Sequence, residues 1–177
     1  MKADIPSVIV VMGVSGCGKS TIAAMLASRL HWIYEDGDWF HPEANVEKMH
    51  HGEPLTDQDR WPWLRAIAAW IDNTRKAGNH GVVACSALKR AYRDILVGEL
   101  RDVQIVYLKG DRELIARRIA ARDDHFMPAA LLDSQFAALE EPAADEHPIV
   151  VSIEPHPREI VDNIVAKLGI AEAATPI

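Results

Sequence analysis

Short apolar runs recur along the chain and alternate with longer stretches of helical period. Val8–Met12, Trp32–Glu35, Gly81–Ser86, Gln104–Leu108 and Ile149–Ile153 read as strands apolar on both faces, the pattern of a buried parallel sheet. Between and after them, Lys19–Leu30, Pro62–Ala77, Lys89–Glu99, Asp111–Arg122, Pro128–Leu139 and Pro157–Leu168 repeat apolar positions at three- and four-residue intervals and predict helices. Several open with Pro in the first turn or with Asp, Ser or Thr nearby, the residues that suit a helix start. Strands alternating with helices imply an α/β fold, a parallel sheet with helices on both faces, because right-handed crossovers place them there. In such a fold ligands bind at the carboxyl ends of the strands.

The first strand and first helix enclose Gly13-Val14-Ser15-Gly16-Cys17-Gly18-Lys19-Ser20, which fills the phosphate-binding pattern G-x-x-x-x-G-K-[ST]. Glycines let successive backbone N–H groups turn toward phosphate oxygens, and the helix N-terminus adds partial positive charge. Lys19 then reaches the β- and γ-phosphates of a nucleoside triphosphate, and the Ser20 hydroxyl, with Thr21 behind it, meets Mg²⁺.

Two stretches stand outside the sheet-and-helix pattern. The segment 37–63 carries Trp39, Trp61, Trp63, three histidines and many charges, and reads as a substrate-binding insert. The segment 122–128, flanked by arginines, is a candidate lid. The end of the chain, 169–177, is weakly patterned and is expected to fray. At 177 residues the chain has the size of one domain.

Composition narrows the function classes. The formal charge is −7, so the broad basic surface of a nucleic-acid binder is missing, and a small anion must be caught by a local group of Lys and Arg. No apolar run approaches the roughly 20 residues of a membrane span. The first residues leave no room for a signal peptide before the first strand, and two cysteines, Cys17 and Cys85, fit a reducing compartment, so a cytoplasmic protein is expected. A disulfide between those two, with Cys17 inside the phosphate loop and Cys85 near the end of a strand expected to lie beside the first, is a weak further expectation.

After the second strand, Asp36 and Asp38 flank Gly37. Carboxylates there can hold Mg²⁺ through water or accept the proton of a substrate hydroxyl, and an Asp-Gly turn carrying solvated charge is the alternative. The third strand lacks the terminal Asp that many P-loop enzymes use for Mg²⁺, which points to Asp36 or Asp38. Arg118 and Arg122, at i and i+4 before the lid, can stack on adenine and reach phosphates, or can form a solvated face. Arg60, beside Trp61, can pair with a carboxylate, with Lys48 in the same insert and Lys89 after the third strand as further cations. His41 is placed to hydrogen-bond a substrate or to serve a local structural role. Adjacent His50 and His51 diverge on a helix and make a poor metal pair.

Together these residues resemble the gluconate kinases of the P-loop kinase superfamily. The resemblance is carried by Met12–Thr21, Asp36-Gly37-Asp38 with His41-Pro42 and Asn45, Lys48-Met49, Gly52–Asp57, Asp59-Arg60 and Pro62-Trp63-Leu64. It continues through Cys85–Lys89, Tyr92-Arg93-Asp94, Tyr107–Gly110, His125–Pro128, Ser134–Phe136 and Leu139-Glu140. It implies a shikimate-kinase-like three-layer αβα fold with strand order 2-3-1-4-5 and ATP-dependent phosphorylation of D-gluconate at its 6-hydroxyl. Mg²⁺ and a homodimer are implied with it. By the same resemblance Asp36 holds Mg²⁺ through water, Asp38 polarises the attacking hydroxyl, Arg60 contacts the sugar acid with Lys89 and Gln135, Arg118 meets adenine, and Arg122 meets the phosphates. A kinase of another small acid or of a nucleotide is the competing reading, since a P-loop does not fix the acceptor. The insert holds only Arg60 and Lys48 as strong cations, which favours a singly charged carboxylate. A guanine-nucleotide switch would need an Asn-Lys-x-Asp signature, which the chain lacks.

Overall fold

The computed structural model describes residues 4–122 and 129–170. Its strands are β1 (Val8–Met12), β2 (Ile33–Asp36), β3 (Gly81–Ala84), β4 (Val103–Lys109) and β5 (Ile149–Ser152). All pair in parallel, in the order β2-β3-β1-β4-β5. The α/β class and this strand order are as expected.

The helices are α1 (Lys19–Leu30), α2 (Glu43–His50), α3 (Asp57–Lys76), α4 (Arg90–Leu96), α5 (Arg112–Ala120), α6 (Ala129–Ala138) and α7 (Pro157–Leu168). Alternate strand residues feed opposite sides of the sheet. Ile9, Val11, Val82, Val106 and Leu108 pack with Ile22 and Leu26 of α1, Ile115 of α5, and Ile160 and Ile164 of α7. Val8, Val10, Met12, Val83 and Ile105 pack with Trp63, Leu64, Ile67 and Ile71 of α3 and with Tyr92 and Leu96 of α4. The result is three layers, with α1, α5 and α7 on one face and α3 and α4 on the other.

Several boundaries differ from the expectation for local physical reasons. β2 was expected to be buried, but it is an edge strand whose Ile33 is 47% exposed. α3 starts five residues before Pro62 because Thr56 and Asp59 form a capping box: Asp59 N–H donates to Thr56 Oγ1 at 3.1 Å and Thr56 N–H to Asp59 Oδ2 at 2.9 Å. Pro62 therefore sits inside the helix, in its second turn. α2 was not anticipated. It exposes Val46 and Met49 and buries only Asn45, so it has no core-facing apolar stripe to read. β3 stops at Ala84, and the following loop turns through Ala87, whose φ is 45°. α5 ends at Ala120, so Arg118 and Arg122 do not share a helix face.

Of the expected lid, 123–128 lies outside the described residues, as does 171–177 of the tail. Gly169 ends α7 in a left-handed conformation, and Ile170 packs against the core rather than fraying. Cys17 and Cys85 are free thiols belonging to different core clusters, on opposite faces of the sheet, so the expected disulfide is not formed. Burial raises both thiols, Cys85 to about 12, which makes them poor nucleophiles.

Candidate active site

The phosphate loop runs from the end of β1 into α1. Gly18 caps α1 with φ 96°, a left-handed conformation in which a side chain would be strained. Lys19 Nζ curls back across the loop and donates to the Val14 carbonyl at 3.1 Å. Two contacts seat the loop. Gly13 N–H donates to Ser86 O after β3 at 3.4 Å, and Gln135 Oε1 on α6 accepts from Ser15 N–H at 3.2 Å and from Ser15 Oγ at 3.3 Å. Gln135, expected to touch substrate, is thus bonded to the phosphate loop.

Asp36 lies at the C-terminal end of β2, across from the loop. Its Oδ2 accepts from Ser20 Oγ at 2.9 Å and from Tyr34 Oη at 3.3 Å, while Oδ1 accepts the Asp38 N–H at 3.0 Å. A hydroxyl and a carboxylate so placed are hard oxygen donors of the kind that suit Mg²⁺ shared with phosphates and water. Asp38 follows in a 3-10 turn, Gly37–Phe40. Partial removal from water and the neighbouring Asp36 charge push the Asp38 carboxyl above its usual range, with Lys19 pulling the other way.

The insert is cross-braced on α3. Trp63 Nε1 donates to Gly37 O at 2.7 Å, and the His41 ring stacks on Trp63 with centroids 4.3 Å apart. Buried Asn45 donates through Nδ2 to Asp59 O at 2.9 Å and to His41 Nδ1 at 3.3 Å. His41 Nδ1 is therefore an acceptor. Burial, and then the Arg60 charge, lower His41 to about 4, so the ring is neutral at pH 7 with its proton on Nε2. Lys48 Nζ pairs with Asp59 Oδ2 at 2.9 Å.

Arg60 and Lys89 meet around Tyr92. Arg60 donates to Leu55 O at 2.6 Å and to Tyr92 Oη at 3.4 Å, and Lys89 Nζ donates to Asp57 at 3.1 and 3.3 Å. Both cations stand 5.7 Å from the centre of the Tyr92 ring, and the Tyr92 hydroxyl donates to Asp57. The sequence reading carried Asp57, Tyr92 and Asn45 only as part of the family resemblance and gave them no role in the site. The Thr56-x-x-Asp59 cap, once recognised, would have placed Asp57 and Arg60 in the first turn of α3 and so beside the loop after β3. Arg118 donates to the Glu154 carbonyl at 3.3 Å, past β5, and Arg122 lies exposed beyond α5. The structure thus gathers Gly13–Thr21, Asp36 and Asp38 at the carboxyl end of the sheet and Arg60 and Lys89 together around Tyr92, with Arg118 apart near β5.

A family model described as an AAA domain matches residues 8–142. The gluconokinase of Gluconobacter oxydans (strain 621H) is 48% identical over 160 residues, covering 90% of each chain. The chain belongs to the gluconokinase family. A gluconokinase structure from Sinorhizobium meliloti 1021 is 41% identical, covers 93% of this chain and 92% of its own, and superposes with a TM-score of 0.85. A shikimate kinase from Bacteroides thetaiotaomicron, at 17% identity, covers 92% of this chain and 98% of its own with a TM-score of 0.61, and shares the fold. In this gluconokinase-family chain the P-loop and the Asp36-Gly37-Asp38 turn face one another across the carboxyl ends of β1 and β2, where the fold class places ligands.

Proposed function

We propose that this protein transfers the γ-phosphoryl group of ATP to the 6-hydroxyl of D-gluconate, giving 6-phospho-D-gluconate and ADP. The observation that carries the residue assignment is the 2.9 Å contact between Ser20 of the phosphate loop and Asp36, with Asp38 two residues further on. It supports a reading in which the phosphate loop, an oxygen pair that suits a metal and a carboxylate with raised proton affinity work together at the carboxyl end of the sheet. Membership of the gluconokinase family supports the acceptor.

In this reading the P-loop N–H groups and Lys19 hold the β- and γ-phosphates, and Ser20 and Asp36 are the residues that would hold Mg²⁺. Mg²⁺ when bound offsets charge on the phosphates. Asp38 accepts a hydrogen bond from the 6-hydroxyl, orients its oxygen toward the γ-phosphorus and takes up its proton as the new P–O bond forms and the bond to the β-phosphate oxygen breaks. The transition state is loose, so orientation and charge placement dominate over base strength. Arg60 and Lys89 bind the carboxylate of the sugar acid, neutral His41 offers an Nε2–H donor, and Gln135 keeps the phosphate loop in register. Arg118 and Arg122 serve adenine and phosphates. Buried free thiols fit a reducing, cytoplasmic setting, and the family resemblance supports a homodimer acting on a small molecule, without nucleic-acid or membrane partners. Among the described residues no helix is long and apolar enough to cross a membrane.

The test is a coupled ADP-release assay with ATP–Mg²⁺ and a panel of gluconate, other aldonates, shikimate and AMP. Turnover on gluconate far above the rest is expected. Turnover on another member alone would overturn the acceptor, and silence throughout would overturn the kinase reading.

A further inference from the structure

The cations assigned to the substrate carboxylate are already partly neutralised. Asp57, the first residue of α3, accepts from Lys89 Nζ at 3.1 Å and from the Tyr92 hydroxyl, and lies 4.0 Å from Arg60 Nη1. Its side chain is 45% exposed, so this is a carboxylate in contact with solvent rather than a buried structural charge. Hydrogen bonds from Tyr92 and Lys89 hold its carboxyl below the usual range, so it is ionised at neutral pH. Asp59, two residues on, is committed to Lys48 and to the helix cap and leaves this group alone. Counting formal charges, Arg60 and Lys89 with Asp57 leave a net charge of about +1 around Tyr92, where the two cations alone would present about +2.

Resting on the gluconokinase reading, we infer that Asp57 is a specificity-determining residue: it trims the Arg60–Lys89 pair to a single net positive charge, so the site accepts one carboxylate and discriminates against doubly charged anions. A monoanion entering the group neutralises it. A dianion leaves a surplus negative charge facing Asp57 within a few ångströms, and among the described residues the cations that stand against Tyr92 are Arg60 and Lys89. Asp57 also holds Lys89 against Tyr92, so the same carboxylate positions the ammonium it tempers.

The test compares a dianion with the substrate. Sulfate, with its two charges on one centre, is titrated as a competitive inhibitor against gluconate at saturating ATP–Mg²⁺, which keeps it out of the phosphate loop, and the ratio of sulfate Ki to gluconate KM is read. Asp57→Asn is expected to lower that ratio by about three- to fivefold, the upper end of the scale for one solvent-screened charge near a protein surface. Asp57→Glu, which keeps the charge, is expected to leave it within about twofold. Lys89→Gln, which removes a positive charge, is expected to raise it. A structural role for Asp57 would instead weaken gluconate and sulfate together in the Asn variant and leave the ratio where it was. That outcome, or Asn and Glu variants moving alike, overturns the inference. If Asp57→Asn lacks turnover, the same ratio is read as Kd values by calorimetry with a non-hydrolysable ATP analogue bound. Absence of gluconate turnover by the unaltered enzyme sinks the activity reading instead, and is distinguishable because it appears before any variant is made.

Discussion

Gly37→Ala is the sharpest test of how the catalytic turn is built. Gly37 is buried between Asp36 and Asp38, and its need for glycine comes from close approach rather than from an unusual φ. A β-carbon at this position would fall on the Ala84 carbonyl oxygen, about 1 Å inside ordinary van der Waals contact, and would also come within 3.4 Å of Cys85 Cα. Both obstacles are backbone at the end of β3, which is paired on both sides and cannot move aside. The turn must move instead, by about 1 Å, and it carries the carboxylates assigned to Mg²⁺ and to the hydroxyl. A misplacement of that size costs on the order of 100-fold in rate. Overpacking of this kind costs about 1–3 kcal/mol, and for a chain of this length each kcal/mol lowers Tm by about 2–4 °C. The phosphate loop itself is untouched. The expected result, from steady-state ADP-release kinetics and a thermal melt, is kcat down about 100-fold, KM for ATP changed only a few-fold and Tm lower by several degrees. A kcat within about threefold of the unaltered enzyme, alongside the lowered Tm, would refute the claim that the Asp36–Asp38 spacing sets the rate.

Two further perturbations probe other parts of the argument. The raised Asp38 carboxyl must be ionised to accept the hydroxyl proton, so activity should fall as pH drops through its elevated pKa; Asp38→Asn should cut kcat, flatten that acidic limb and leave ATP affinity nearly intact, and equal loss of both would make Asp38 a metal ligand or a structural residue. Arg93 and Glu146 form an ion pair at 2.6 Å with side chains only 2% and 8% exposed, so Glu146→Gln should cost about 3–5 kcal/mol and about 10 °C in Tm, while Arg93→Met with Glu146→Leu should recover most of it. Burial alone would raise the Glu146 carboxyl, but Arg93 and the Ala143 N–H pull it below its usual value. Its ionised form therefore contributes fully above the unfolded pKa of about 4.3, and the gap between Gln variant and unaltered protein should close as pH falls through the lower folded value.

The sheet was legible because its three central strands, β3, β1 and β4, are apolar on both faces and the phosphate loop has a fixed spacing between strand and helix. Val8–Met12 and Lys19–Leu30 have the same bounds in sequence and structure for that reason. The acceptor end was legible only as a composition. α2 packs through one polar residue, Asn45, and leaves no apolar period, while Pro62 disguised the start of a helix whose first turn is secured by side-chain caps. The same holds for the site. Asp36 and Asp38 announce themselves by their place after a strand, whereas Asp57 and Tyr92 are 35 residues apart and meet only because α3 and α4 pack on one face of the sheet. Arg118 and Arg122 looked like a pair because spacing assumes the helix continues, and α5 stops between them.

Three consecutive residues divide the labour of joining the two halves of the site. Asp36 faces the phosphate-loop side through Ser20, Gly37 faces the acceptor side through the Trp63 indole, and Asp38 is held between them by its backbone, through Asp36 and His41, with the proton affinity of its carboxyl raised. The acceptor side is itself one unit, because the first two turns of α3 hold most of its braces among the described residues: Asp57 to Lys89 and Tyr92, Asp59 to Lys48 and the cap, Arg60 to Leu55, Trp63 to Gly37 and His41. Substitutions within those turns should therefore change which acid is accepted while the P-loop, seated separately by Ser86 and Gln135, keeps its grip on nucleotide. A turn with glycine at its centre is the part that neither half can alter alone, since its backbone is pinned by Ala84 on one side and its carbonyl by Trp63 on the other.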